Sequence, residues 1–413
     1  MIKSRLKTGL LFVIISLIIC PLGSGCAPDQ DFDKQLRAIT KPHIFSIVEW
    51  EFGAFGEGIR KTLFNGQKYT DNSSQKILQY FHKVEQIKIL ESKINSIKAG
   101  NRRGDSASLE NELNELKQQN VIAAETIEQI IEVQVREAYS EEEIYNPINK
   151  YTGYQFSFPP VNIKLAKMPH LLVVSPRDKI ESMREVTLLP DLSLEDMESI
   201  ESDVDDLGVS SLVAALGGIA TYPSLVIDTG SLRFTLDTVA EEWLHHYLAF
   251  TPLGFRYTLD TAGIIRNYEI ATMNETLVGI VSKEIGANIY EEYFTQNEVV
   301  DTEPETGVLT FDFNQEMREI RRDVDDFLDR GKIEQAEEFM EQKRQYLATK
   351  GYHIRKLNQA YFAFHGTYAD RPTSISPIGA DMKKLRSQST SLKEFLDKAA
   401  SFTSRQDLTD SLN

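Results

Sequence analysis

Two side chains within five residues could share one metal ion. In the run Thr238-Val239-Ala240-Glu241-Glu242-Trp243-Leu244-His245-His246-Tyr247-Leu248, Glu241 and His245 are spaced i and i+4. On a helix that spacing puts both on one face, one turn apart. Glu242 points about a quarter turn aside, where a general base must sit to take a proton from a water held by a metal. About thirty residues later Met273-Asn274-Glu275-Thr276 offers a further carboxylate, Glu275. One imidazole and two carboxylates would make three ligands and leave a position open, as a catalytic rather than a structural site requires.

Shifting the register by one pairs Glu242 with His246, but Trp243 would then occupy the base position and cannot transfer a proton. A carboxylate-bridged di-iron centre needs two E-x-x-H motifs, and Glu242-Trp243-Leu244-His245 is the one in the chain. His246 diverges from the face of Glu241 and His245, so it is expected to support or pack rather than to ligate. An isolated acidic E-E-x-x-H is commonly a solvated helix face. Here Trp243, Leu244, Tyr247 and Leu248 make the helix apolar, so its acidic groups are expected to be buried and to need partners.

The elements that would position these groups follow from periodicity. From 31 to about 146 the pattern is helical, with amphipathic stretches at 75–97 and 108–138 on either side of a polar turn, Ala99-Gly100-Asn101-Arg102-Arg103-Gly104-Asp105. These predict an antiparallel hairpin whose second arm packs through Leu109, Leu113, Leu116, Val121, Ile122, Ile127, Ile130 and Ile131. The Arg103-Gly104-Asp105 tripeptide in a charged turn carries no functional weight by itself. Past Tyr151 the pattern changes to short proline-bounded runs. Strands are expected at 161–165, 171–176, 184–189, 212–216 and 222–227, with an acidic helix capped by Ser193 between the third and fourth. The motif helix spans 232–250 and stops at Thr251-Pro252-Leu253-Gly254; the next contains 270–285 and carries Glu275. Beyond the loop at 302–307, helix is expected over 311–348 and again over 354–364.

The expected fold is α+β: a mostly helical body with a small mixed sheet and an N-terminal helical hairpin. Its regions are a leader at 1–26, the hairpin region at 27–150, the sheet region at 151–230 and a helical region at 231–413.

The leader reading rests on Lys3, Arg5 and Lys7 before an apolar run at 9–20 that is short for a membrane span, ending in Leu22-Gly23-Ser24-Gly25-Cys26. This is close to a bacterial lipoprotein processing site, with Gly23 where a larger aliphatic residue is usual. It implies a body tethered to the cell membrane through lipidated Cys26 and facing outside the cytoplasm; an uncleaved anchor or plain secretion is the other reading. Cys20 and Cys26 are the two cysteines, so the body has neither disulfides nor thiol chemistry. Removal of residues 1–25 takes away three basic residues and no acidic one, moving the formal charge from −17 to −20. That balance disfavours nucleic acid as a partner.

The motif helix, the Asn274-Glu275 pair and Leu357-Asn358-Gln359-Ala360-Tyr361 together resemble a gluzincin-type metallopeptidase, close to aminopeptidase-like proteins of bacteria. The resemblance covers about residues 231–370. It implies His245 and Glu275 as zinc ligands, Glu242 as catalytic base, and Tyr361 or His365 as the group that steadies the oxyanion. The departure is Glu241 where the family has histidine. An oxygen-rich site with one imidazole holds zinc less selectively, shifts toward manganese or iron, and acidifies water less. Two functions are therefore expected: a tethered metallopeptidase hydrolysing peptides through a metal-activated water, or a catalytically inactive protein of the same fold acting as a binding or scaffolding lipoprotein through its hairpin.

Overall fold

The computed structural model describes residues 30–47, 72–98, 106–295, 311–369 and 373–412. The leader with Cys20 and Cys26, the Arg103-Gly104-Asp105 turn, the 302–307 loop and Asp370 lie outside the described residues. In chain order the helices are α1 (Gln30–Thr40), α2 (Ser73–Lys98), α3 (Ser106–Glu141) and the single turn α4 (Asn149–Thr152). The strand-rich part follows, with β1 (Ile163–Ala166), β2 (His170–Ser175), β3 (Arg184–Leu188), α5 (Leu194–Asp205), β4 (Ser210–Ala215), β5 (Gly218–Ile219) and β6 (Ser224–Ile227). Then come α6 (Leu232–Leu248), α7 (Pro252–Thr261), α8 (Tyr268–Tyr293), α9 (Phe313–Asp329), α10 (Ile333–Thr349), α11 (Gln359–His365), α12 (Ile378–Gln388), α13 (Leu392–Ala399) and α14 (Arg405–Asp410). The fold is α+β and mostly helical. No helix among the described residues is long and apolar enough to cross a membrane.

The expected single mixed sheet is two sheets of three strands. One, ordered β1-β6-β5, is mixed, with β1 parallel and β5 antiparallel to β6; the other, β3-β2-β4, is antiparallel throughout. Three outer edges are closed. Residues 43–45 run along β3, with Phe45 N–H donating to the Thr187 carbonyl and Leu189 N–H to that of His43. The other two closures repeat one device. On α3, Glu128 and Glu132 accept the backbone N–H groups of Leu165 and Ile163 on β1, at 2.9 and 3.0 Å. On α5, Glu201 and Asp205 accept those of Val213 and Ser211 on β4, at 2.6 and 2.8 Å. Carboxylates at i and i+4 on a helix are about 6 Å apart along its axis, close to the roughly 6.7 Å between same-side N–H groups two residues apart on a strand. Leaving one such buried N–H without its acceptor costs about 1–3 kcal/mol.

The largest core joins the proximal hairpin, α6, α8 and the C-terminal helices, through residues such as Ile131, Val135, Leu236, Leu244, Met273, Val281 and Phe395. The hairpin and helical regions anticipated from sequence thus share one interior. The hairpin packs as expected near its base, but Val121 and Ile122 do not join the seam: they are 75% and 76% exposed. The apolar positions there drift around the helix, and α2 covers one face only. The long C-terminal helical stretch is broken at Arg330-Gly331-Lys332 into the pair α9 and α10. The motif helix stops at Leu248, as expected, and the Thr251-Pro252-Leu253-Gly254 run also starts another helix, because Pro252 is well placed at a first helical position behind the Thr251 cap.

Candidate metal centre

Helix α6 is capped by Ser231, whose side chain accepts from Phe234 N–H, and is buried on almost every side. Trp243 fixes its rotation. The indole N–H donates to the Pro159 carbonyl at 2.7 Å, and the ring packs on Tyr139 of α3 with centroids 4.2 Å apart. Tyr139 in turn donates to the Ala240 carbonyl at 2.9 Å. With Trp243 pointing into the core, the face bearing Glu241 and His245 meets α8. Asn267 caps α8 by accepting from Ile270 N–H, and the helix is so apolar that Asn274 and Glu275 are carried into the interior.

The three side chains converge. Glu241, His245 and Glu275 each present one donor atom, and these atoms lie within 4.8 Å of one another. His245 Nε2 is 3.9 Å from Glu275 Oε1. Such a set could hold one divalent cation. His245 Nδ1 faces the side-chain amide of Asn274 at 3.3 Å, while Asn274 Oδ1 is buried without a hydrogen-bond partner. Amide oxygen and nitrogen are interchangeable by a half turn. With Oδ1 toward His245 it would accept from Nδ1–H, leaving the Nε2 lone pair toward Glu275 and the shared point, as a histidine ligand requires.

Glu242 stands beside this set without being part of it. It is buried, and a Cβ added at Gly218 of β5 would run into its Oε1 and the Thr238 methyl, so the carboxylate sits directly on the strand backbone. Burial, and then the charges of Glu241 and Glu275, push its pKa well above the usual carboxylate range. His246 does not join the three donors, as its direction on the helix predicts; it lines the same cleft and ties α6 to the sheet, Nε2–H donating to the Ala220 carbonyl at 3.0 Å. Burial lowers its pKa to about 4, so the imidazole is neutral.

Two tyrosines that sequence reasoning missed complete the set. Tyr257 of α7 donates to Glu275 Oε1 at 2.5 Å and stacks on the His245 ring, with centroids 5.7 Å apart. Tyr368 donates to Glu241 Oε1 at 2.6 Å. Both hydroxyls have strongly raised pKa values, chiefly through burial and then through Glu275, so they remain donors. A cleft of about 370 Å³ opens onto the centre, lined by Glu242, His245, Glu275, Tyr257 and Tyr368 together with 218–220 of β5 and its turn. Tyr361 and His365 are not in this wall. They lie on α11 and pack on each other, centroids 4.3 Å apart, while Tyr361 also adjoins the cores under α9, α10 and β2. The aromatic of this segment that lines the cleft is Tyr368, three residues after His365.

Comparison with models of protein families, with curated proteins and with solved structures finds no match.

Proposed function

We propose that this chain is a metal-dependent peptidase of the gluzincin kind, with Glu241, His245 and Glu275 as ligands of one divalent transition ion, zinc or a harder ion such as manganese, and Glu242 as general base. The observation that carries this reading is the convergence of the three donors with Glu242 beside them at the wall of an open cleft. A divalent ion held there would polarise a scissile carbonyl and acidify a water. The charge of such an ion would favour the ionised form of Glu242, whose carboxylate would then take the proton of that water and pass it to the leaving amine. Tyr257 and Tyr368 orient the ligand carboxylates by donating to them.

The substrate would be an extended peptide laid along β5. Among the described residues no strand pairs with the outer side of β5, which faces the cleft, whereas the other three sheet edges are closed. Adding a strand there brings a peptide bond past Glu242. The N-terminal leader would tether the body to a membrane outside the cytoplasm.

The test is metal content after dialysis against zinc or manganese, joined to peptide hydrolysis. Near one equivalent is expected in the wild type and in Glu242→Gln, and none in His245→Ala or Glu275→Ala, with hydrolysis in the wild type alone. Glu241→His should tighten zinc. If the wild type binds no metal, the reading falls and the scaffolding function takes its place.

A further inference from the structure

Among the described residues, no lysine or arginine lines the cleft, and the carboxylates that do are Glu242 and Glu275. The proposed chemistry already employs both, one as base and one as ligand. His245 is a ligand as well. His246 is tied to the Ala220 carbonyl and neutral, because burial lowers its pKa to about 4. The hydroxyls of Tyr257 and Tyr368 are committed to Glu275 and Glu241. This lining therefore holds no charge in reserve for the terminus of a substrate.

Much of the remaining lining is apolar or carries a hydroxyl. Leu171 on β2 and Thr187 on β3 stand directly opposite each other in the antiparallel sheet. Leu216 follows β4, Ile219 lies on β5, and Ala249 and Phe250 follow α6. Burying an ion without a partner is costly, whereas burying apolar surface is favourable. A free carboxylate in this cleft would meet no cation of that lining; on a bound ion it would displace the water and block the reaction. A free amine would find the base and a ligand, and pairing with either would disable it. A neutral apolar side chain meets surface of its own kind.

We infer that the cleft acts within peptide chains rather than at their ends, and seats an uncharged apolar side chain next to the bond that is cut. This inference rests on the peptidase reading and deepens it by naming the substrate class: an internal apolar stretch of polypeptide. Strand addition along β5 agrees with it, since that mode holds backbone on both sides of a bond and needs neither terminus.

The experiment uses the full chain with zinc restored and peptides of about twelve residues carrying one leucine beside the expected cut. Each peptide is prepared with free ends and with its ends acetylated and amidated. Products read by mass spectrometry should come from internal bonds, at equal rates for the blocked and free forms. Replacing the leucine with glutamate should lower kcat/KM about tenfold or more. Thr187→Lys brings a cation to the lining and should narrow that ratio about threefold or more. Thr261→Lys, at an exposed position of α7 in the same lining, does so without touching the sheet. Stepwise release of single residues from one end overturns the inference, as does loss of cleavage on blocking the ends, or a ratio unchanged in both variants. Binding is followed separately, by anisotropy of the blocked peptides labelled with fluorescein, on the full chain carrying Glu242→Gln. Equal binding of the leucine and glutamate peptides, or none, overturns the selection. A chain that prefers the leucine peptide but holds no metal and hydrolyses nothing keeps the selection and loses the peptidase; one that hydrolyses both peptides alike does the reverse.

Discussion

The hydroxyl of Tyr368 lies 2.6 Å from Oε1 of Glu241, a residue 127 positions earlier in the chain. This bond ties the segment after α11 to the motif helix and fixes the direction of the carboxylate that the proposed centre uses where histidine was expected. Removal of a donor that orients a ligating carboxylate usually weakens metal binding 10–100-fold. Tyr368→Phe, and by the same argument Tyr257→Phe, should therefore lose about that factor in competition with a chelating dye. Unchanged affinity in both would show that the hydroxyls hold the fold and not the centre.

Glu242 sets function against stability. Its folded pKa is raised from 4.5, so above that pH the folded state keeps a proton that the unfolded chain has released, and stability falls as pH rises. Glu242→Gln removes that penalty. The metal-free variant should melt higher than the metal-free wild type at pH 7.5 while losing hydrolysis altogether. A lower melting temperature would count against a carboxyl destabilised by its surroundings.

His246 gives the opposite sign in acid. Its pKa falls from 6.5 to about 4 on folding, so between those values the unfolded chain binds a proton that the folded chain excludes. Stability present above pH 6.5 is thus lost progressively as pH falls toward 4, by up to roughly 3 kcal/mol at about 1.4 kcal/mol per unit. Urea unfolding from pH 7.5 to 4.5 should show this slope. His246→Gln should flatten it; an identical slope in that variant would assign the loss to other groups.

Gly218 is where β5 and Glu242 touch. A methyl group there meets Glu242 Oε1 and Thr238, so Gly218→Ala must displace the carboxylate or the strand. Hydrolysis should drop about 100-fold or more, in the range of losing a positioned proton-transfer group, while metal content stays near that of the wild type. Full activity would mean that Glu242 is not the base.

How much of this the sequence disclosed depends on distance along the chain. Glu241, Glu242 and His245 are legible because their relation is local, set by helical spacing, and Trp243 announces the buried face. Glu275 follows because a carboxylate inside an apolar helix needs a partner. Tyr257 and Tyr368 carry no such signal: each is one of 16 tyrosines and acquires meaning only through a contact made in the folded state. Tyr361 and His365 looked equally suitable, but α11 turns them toward other cores. The division into two sheets was hidden for a similar reason, since β1 pairs with β6, some sixty residues later, and hydrophobic alternation cannot report which strand is the neighbour. Ser193, by contrast, caps α5 with the full reciprocal bonding to Asp196 that its spacing predicted.

The paired carboxylates on α3 and α5 also bear on how this protein behaves in a crowd. Unprotected sheet margins are where chains recruit one another into fibres. Glu128 and Glu132 on one sheet, and Glu201 and Asp205 on the other, occupy the N–H groups that a recruiting chain would need. Among the described residues, the outer side of β5 beside Glu242 is the sheet margin without such cover.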